Sequence, residues 1–157
     1  MAGPFTIDAS VFINAFNPYE EGHEDSHRLL GAIQGRAIPM IVPTLVLPEV
    51  AATIARGRND GVLGYQFADA LGRLPYLYLV DLDKATASKA SEIAAAHRLR
   101  GADAVYAAVA WRFGAELVTR DRQQRDRVAA VLTVHSPAQA LAQALGEETE
   151  YPATPTS

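Results

Sequence analysis

Short apolar runs typical of buried strands alternate along the chain with longer segments of helical periodicity. The predicted strands are Phe5–Asp8, Ile38–Val42, Leu77–Val80, Leu117–Thr119 and Val131–Val134. The predicted helices are Ser10–Asn17, Glu21–Gly35, Pro43–Arg56, Asp60–Leu71, Lys84–Arg98, Ala102–Phe113 and Pro137–Leu145. Strands that alternate with helices indicate βαβ units. The pattern therefore predicts an α/β fold with a mainly parallel sheet.

The pattern ends in a polar segment rich in proline and threonine. A chain of 157 residues has the length of one ordinary domain, and its 49% hydrophobic residues are enough for a sizeable core. That fraction excludes a disordered chain. We therefore predict a single domain over residues 1–146 and a polar, mobile tail over residues 147–157.

The composition restricts both the compartment and the chemistry. There is no cysteine, which excludes disulfides and thiolate metal sites and is typical of a reducing compartment. The start, MAGPFTID, lacks the basic residues and the long apolar run of a signal peptide. The longest apolar stretch, around Ala37 to Leu47, contains two prolines and is too short to cross a bilayer. We expect a cytoplasmic protein without a membrane span.

Four acidic residues lie beside apolar runs where predicted strands lead into helices. They are Asp8 in FTIDAS, Glu49 in LPEVAA, Asp103 in RGADAVYAAVA and Asp121 in ELVTRDR. Carboxylates at the edge of a core lose hydration and repel one another, so a cluster of them is tolerated when a divalent cation binds there. Mg²⁺ and Mn²⁺ prefer carboxylate and water oxygens. The leading hypothesis is a metal-dependent enzyme that acts on a phosphate substrate.

The predicted elements place these acids at one edge of the sheet, where open α/β sheets bind their ligands. Asp8 ends the first predicted strand, and Asp121 follows the fourth by two residues, so both reach one crevice if those strands are neighbours. Asp103 lies in the first turn of its predicted helix, and Glu49 lies one or two turns into its own. Taken singly, each acid is equally compatible with a cap, a turn or a solvated position.

The ordered fragments IDASVFI, LPEVAA, GADAVYAAVA and LVTRDR resemble the PIN-domain nucleases, and most of all the toxin ribonucleases of VapBC toxin–antitoxin pairs. The resemblance implies a three-layer α/β/α domain with a five-stranded sheet and a Mg²⁺- or Mn²⁺-dependent endoribonuclease. It assigns metal binding and catalysis to the four acids. Ser10 and Thr119 match small hydroxyl positions beside the site, where they would orient the acids or hold water.

The resemblance also implies partners. These are an RNA substrate, a small antitoxin that presses a basic side chain against the carboxylates, and a second copy of the chain in a homodimer. A housekeeping RNA-processing enzyme on the same fold would have the same sequence features.

Arginine makes up twelve of the fourteen basic residues, and its planar fork suits bidentate phosphate contacts. Arg120, Arg122 and Arg125 flank the last acid, where they would contact an RNA backbone or form a solvated basic turn. The net charge of −4 argues against a broad nucleic-acid surface. Many relatives carry an aromatic residue just after the last acid, whereas this chain reads TRDRQQRDR. Gln123, Gln124 and Asp126 are therefore assigned no role.

One competing motif and two other classes remain as alternatives. The segment HEDSH matches H-E-x-x-H, in which His23 and His27 would bind zinc and Glu24 would act as general base in a peptidase. The charged residues around this motif favour a solvated helix surface. A haloacid-dehalogenase-like phosphatase needs D-x-D after the first strand, where this chain reads DAS. A non-catalytic binding module would not need all four acids.

Overall fold

The computed structural model describes residues 2–146, so the predicted tail lies outside the described residues. The five strands are β1 Phe5–Ile7, β2 Met40–Pro43, β3 Leu77–Val80, β4 Glu116–Val118 and β5 Val134–His135. The helices are α1 Ala9–Phe16, α2 His23–Gly35, α3 Val46–Arg58, α4 Gly61–Gly72, α5 Lys84–His97, α6 Gly101–Phe113, α7 Arg122–Val128 and α8 Pro137–Leu145. No helix within residues 2–146 is long and apolar enough to cross a membrane.

The strands form one parallel sheet in the order β3-β2-β1-β4-β5, which confirms the predicted α/β class and parallel sheet. From β1 the chain builds outward through β2 to β3, then returns to the other side of β1 to add β4 and β5. Because parallel crossovers are right-handed, this reversal places α1 to α4 on one face of the sheet and α5 to α7 on the other. The switch point of the strand order therefore lies between β1 and β4, where such folds bind ligands.

The sheet is buried mainly at its centre. All three residues of β1 are fully buried, and α6 packs across β1, β2 and β4. Seven consecutive residues of α6, from Ala104 to Ala110, are buried, and four of them are alanines. Small side chains let the helix axis approach the strands closely. The result is a helix that packs closely against the central strands along its buried middle.

Side-chain caps explain where several helices begin. Asp60 accepts a hydrogen bond from the backbone N–H of Leu63 and thereby caps α4. Asp83 caps α5 in the same way, and Ser136 forms a reciprocal capping box with Gln139 at the start of α8. Each cap satisfies backbone donors that the first helical turn leaves free.

The structure corrects the start of one predicted helix and the position of the last strand, and it adds one helix. The helix predicted from Pro43 begins at Val46, because Pro43 still pairs with β3 as the last residue of β2. The last strand is Val134–His135, so the prediction of Val131–Val134 was wrong in all but one residue. Helix α7 was not predicted, because its sequence RQQRDRV is almost entirely polar and gives no apolar periodicity.

Helices α3 and α4 approach each other closely at Gly64. A Cβ atom at this position would lie 2.5 Å from the carbonyl oxygen of Ala51 and 3.1 Å from the Cβ of Ala55. Glycine is therefore required here by the distance between two helix backbones. Because α3 carries Glu49, a change in the distance between the two helices would also move that acid.

Candidate active site

The carboxyl ends of β1 and β4 lie side by side. Ile7 is in register with Val118, and the backbone N–H of Asp8 donates to the carbonyl of Val118 at 3.0 Å. The next residues in the two chains are therefore neighbours. The Thr119 hydroxyl donates to Asp8 Oδ2 at 3.2 Å, across 111 positions of sequence.

Asp8 is the most deeply buried of the four acids, with 7% of its surface exposed. Burial raises its pKa, and the hydroxyls of Ser10 and Thr119 oppose that rise without cancelling it. The Ser10 hydroxyl donates to Asp8 Oδ2 at 2.6 Å, so both hydroxyls bind the same carboxylate oxygen. A negative charge on Asp8 is therefore held beside the core without a basic partner to balance it.

Glu49 lies in the first turn of α3 and is half-buried. Burial raises its pKa, and the charges of Asp8 and Asp103 raise it further, against a lowering hydrogen bond from Tyr106. The Tyr106 hydroxyl donates to Glu49 Oε1 at 2.8 Å. Tyr106 is itself fully buried in α6, and burial followed by the Glu49 charge raises the pKa of its phenol. This tyrosine, which the sequence analysis did not single out, ties α3 to α6 at the site.

Asp103 lies in the first turn of α6, as the sequence predicted. Burial raises its pKa, the charges of Asp8 and Asp121 raise it further, and Arg100 lowers it. Burial thus raises the pKa of Asp8, Glu49 and Asp103, and the charges of neighbouring acids raise it further for Glu49 and Asp103. The electrostatic field at this edge of the sheet is strongly negative and would favour a cation.

Three of the predicted acids line one cavity, and the fourth lies beside it. The cavity holds about 350 Å³, and its wall comprises Asp8, Ala9, Ser10, Ile13, Glu20, Glu49, Thr53, Asp103 and Arg120. Asp121 is exposed and accepts a hydrogen bond from the backbone N–H of Gln124 at 3.1 Å, so it caps α7. Its influence on the pKa of Asp103 keeps it within electrostatic reach of the other acids.

The donor set suits a hard divalent cation, because it consists of carboxylate oxygens with hydroxyls behind them and no sulfur. Within residues 2–146, no three acidic or histidine side chains are gathered closely enough to hold one ion among them. Water would therefore complete any coordination shell here, which is usual for Mg²⁺. The pKa values of Asp8, Glu49 and Asp103 are all raised. A bound cation would stabilise the charged form of each carboxylate, so these shifts favour a cation site here.

Gln124 is a buried residue of α7 that the sequence analysis left without a role. Its Oε1 lies 3.1 Å from the Thr119 hydroxyl, and its Nε2 is buried with no partner among the described residues. The Thr119 hydroxyl has one proton, which either Asp8 or Gln124 can accept. Gln124 thus contacts the site through Thr119.

Replacing Gln124 with glutamate is expected to lower the free energy of unfolding by about 2 kcal/mol or more, because a buried carboxylate would compete with Asp8 for the Thr119 proton. Gln124→Met is the matched control, since it keeps the volume and removes the unpartnered amide. We expect it to remain within about 1 kcal/mol of the parent. Urea denaturation measures both. Equal stability of the two variants would contradict this account of Thr119.

The three arginines predicted to contact RNA have different environments. Arg120 lines the acidic cavity and forms an ion pair with Glu20. Arg125 donates to the carbonyl of Thr119 at 2.8 Å and thereby ties α7 to the end of β4. Arg122 is exposed at the start of α7.

The H-E-x-x-H segment forms the first turns of α2, and neither of its histidines lines the acidic cavity. Nδ1 of His23 lies 2.9 Å from the carbonyl oxygen of Asn14, and the His23 and His27 rings stack with centroids 5.3 Å apart. His27 lines a separate, apolar cavity of about 280 Å³. The described residues offer this pair no third ligand of the kind that zinc needs.

Fold and site together define a class: a doubly wound α/β protein with carboxylates gathered at the switch point of its strand order. A family model described as PIN domain matches residues 5–130. The chain belongs to the PIN-domain family. A comparison with curated proteins gives no significant match.

Solved structures of toxin–antitoxin proteins share this fold. VapC20 of Mycobacterium tuberculosis, described as a sarcin–ricin-loop-cleaving toxin, aligns with a TM-score of 0.67 at 18% identity and covers 82% of this chain and 96% of its own. A toxin–antitoxin complex from Klebsiella pneumoniae aligns with a TM-score of 0.63 at 18% identity, and the alignment covers 85% of this chain and 98% of the other. VapBC2 of Rickettsia felis, bound to a promoter DNA fragment, aligns with a TM-score of 0.64 at 14% identity, and the alignment covers 84% of this chain and 97% of the other. At these identities the likeness establishes the fold.

Proposed function

We propose that this protein is a metal-dependent endoribonuclease whose site is formed by Asp8, Glu49, Asp103 and Asp121. The observation that carries the proposal is the cavity at the switch point, which is lined by three acids from separate elements and in which burial raises the pKa of each acid. Membership of the PIN-domain family supports the same chemistry. Mg²⁺ or Mn²⁺ bound there would supply charge stabilisation and an activated water for phosphodiester hydrolysis.

The residues of the chain have distinct parts in this proposal. Asp8, Glu49 and Asp103 would bind the cation in part through its water ligands, and Asp121 would add negative charge from the exposed side. Ser10 and Thr119 fix one oxygen of Asp8 and leave the other for the ion or its water. Tyr106 fixes Glu49 in the same manner. Geometry held by such hydrogen bonds requires little reorganisation when the ion and substrate bind.

The test is cleavage of single-stranded and structured RNA by the purified protein with Mg²⁺, with Mn²⁺ and with a chelator. We expect cleavage with either ion and none with the chelator. Cleavage that persists in the chelator would exclude the metal-dependent mechanism, and absence of cleavage with every ion and RNA would exclude the nuclease.

The histidine pair provides a control that separates this proposal from a zinc peptidase. A His23→Ala, His27→Ala variant is expected to cleave RNA at the parental rate, because neither ring reaches the acidic cavity. Its stability should fall slightly with loss of the His23 contact to Asn14. Loss of a zinc-dependent peptidase activity in this variant, measured on an unfolded protein substrate, would favour the alternative.

We further propose that the protein is the toxin of a toxin–antitoxin pair, as the structurally similar proteins are. Three adjoining cavities support this role: the acidic cavity shares Ile13, Glu20 and Thr53 with a cavity of about 460 Å³. That cavity shares Phe16 and Phe67 with the apolar one of about 280 Å³. Together they form a groove in which a partner could lay an apolar segment and direct a basic side chain at the acids.

The test of the toxin role is expression of the chain alone and together with the small protein encoded next to it. We expect growth arrest in the first culture and rescue in the second, with inhibition of RNA cleavage by the purified partner. Normal growth with an active nuclease would instead favour a housekeeping RNA-processing enzyme.

A homodimer is part of the proposal. The sheet ends in β3, whose outer edge is unpaired among the described residues, and several apolar side chains near it are exposed. They are Tyr76, Tyr78, Leu79 and Leu82. Exposed apolar groups beside a strand edge are usually covered by a partner. Light scattering after gel filtration should give twice the mass of one chain, and a monomer at every concentration would contradict the dimer.

A further inference from the structure

The loop between α1 and α2 is tied to the residue that follows Thr119. Nη1 of Arg120 forms an ion pair with the Glu20 carboxylate, and Nη2 donates to the carbonyl of Glu21 at 2.8 Å. These contacts join parts of the chain that lie about a hundred residues apart. They hold the guanidinium at the rim of the acidic cavity, which both Arg120 and Glu20 line.

A buried asparagine anchors this loop. Nδ2 of Asn14 donates to Glu20 Oε1 at 3.0 Å and to the carbonyl of Glu21 at 2.9 Å, while its Oδ1 is buried with no partner among the described residues. Asn14 is fully buried in α1, where an apolar residue would be more stable. Natural proteins accept a buried polar residue of this kind mainly at functional positions. Here the buried asparagine fixes the position of the Glu20 carboxylate.

Arg120 is the arginine of the acidic cavity, yet its charge is directed away from the acids. The Arg120 charge is instead balanced by Glu20. Two of its five N–H groups are used by Glu20 and Glu21, which leaves donors for another acceptor beside the acids.

We infer that Arg120 binds a phosphate of the RNA substrate next to the scissile bond and that Glu20, held by Asn14, positions it. This inference rests on the proposed nuclease function. A guanidinium fixed in advance loses little entropy when a phosphate binds, and its fork suits two phosphate oxygens. Glu20 also keeps Arg120 from turning onto the carboxylates, where it would compete with the cation.

Arg120 differs in its contacts from the two neighbouring arginines. Arg125 already donates to a backbone carbonyl, and the Arg122 side chain does not line the acidic cavity. Only Arg120 combines a place in the cavity wall, a fixed orientation and free donors. The phosphate contact is therefore assigned to one arginine of the three.

The experiment compares Arg120→Gln, Arg120→Lys and Glu20→Ala with the parent, in steady-state RNA cleavage and in Mn²⁺ binding followed by electron paramagnetic resonance. Arg120→Gln should raise KM about tenfold with a smaller change in kcat and with Mn²⁺ affinity unchanged or tighter. Arg120→Lys keeps the ion pair with Glu20 and loses the forked guanidinium, so its KM should lie between those of the parent and Arg120→Gln. Arg36→Gln, which removes an exposed arginine at the end of α2, should match the parent.

Glu20→Ala should weaken Mn²⁺ binding, because the released Arg120 would pair with the carboxylates. The double variant Glu20→Ala, Arg120→Gln should then regain parental Mn²⁺ affinity while keeping the raised KM. A purely structural role for the pair would lower the melting temperature of each variant and leave KM and Mn²⁺ affinity at parental values, which would overturn the inference. If the parent protein cleaves no RNA, the proposed nuclease function is wrong. If the parent cleaves RNA and Arg120→Gln has the same KM as the parent, only the assignment of the phosphate contact to Arg120 is wrong.

Discussion

An Asp8→Asn variant is expected to lose more than about 100-fold in RNA cleavage and to melt at a higher temperature than the parent. The activity falls because the amide cannot supply the charge that holds a divalent cation, and even residues behind metal ligands are worth about 10–100-fold. The stability rises because burial raises the pKa of Asp8, so its charged form opposes folding at neutral pH. Opposite changes in activity and stability are the signature of a functional charge.

The sign of this effect can be checked by varying pH in a chelator. A carboxyl with a raised native pKa binds its proton more tightly in the folded state, so unfolding free energy declines as pH rises from the ordinary carboxyl pKa through the native one. The difference in melting temperature between Asp8→Asn and the parent should therefore grow with pH over that window. Saturating Mn²⁺ should raise the melting temperature of the parent to that of Asp8→Asn or above, because a bound cation stabilises the charged form of Asp8.

Asp81→Asn is the matched control, since Asp81 is exposed at the end of β3 and lies outside the acidic cavity. It should keep parental activity, melting temperature and pH dependence. A parental cleavage rate in Asp8→Asn would remove the central residue of the proposed site. A variant that is inactive and also markedly less stable would mean that Asp8 serves the fold instead.

Gly64→Val is expected to lower the free energy of unfolding by about 3 kcal/mol, which corresponds to a fall of roughly 6–12 °C in melting temperature. The Cβ of any larger residue would lie 2.5 Å from the carbonyl oxygen of Ala51, so α3 and α4 would have to separate. A backbone oxygen cannot move aside as a flexible side chain would. Glu49 would shift with α3, so cleavage should also decline at temperatures where the variant is still folded.

Gly31→Ala provides the comparison, because a Cβ at Gly31 would meet no atom within 4 Å in the middle of α2. Alanine there should raise stability by about 0.5–1 kcal/mol through its helix propensity. Gly64→Ala should fall between Gly31→Ala and Gly64→Val. Thermal melts of the three variants and the parent measure these differences. A Gly64→Val variant as stable as the parent would contradict the close contact between α3 and α4.

Features that depend on local pattern could be predicted from the sequence. The three central strands are short apolar runs, and the alternation with helices leaves a parallel sheet as the simplest arrangement. Asp103 could be placed in the first turn of its helix because Gly101 marks the start. The sequence resemblance to PIN-domain proteins, which the family match confirms, came from the order of four short fragments.

Contacts between distant residues could not be predicted in this way. Tyr106 and Glu49 are 57 positions apart, and nothing in an alanine-rich helix indicates which polar group its one tyrosine meets. Glu20 gave no signal because it sits in a polar loop. Gln124 was passed over for the opposite reason: a polar helix with one apolar residue resembles a turn, although its glutamine is buried.

The position of β1 between β2 and β4 has a consequence for synthesis on the ribosome. The strand made first acquires its second neighbour only when β4 has emerged, more than a hundred residues later. Until then Asp8 lacks the Thr119 hydroxyl and the ends of β1 and β4 form no crevice. An incomplete polypeptide that ends before β4 would therefore lack the assembled site that the proposed function requires.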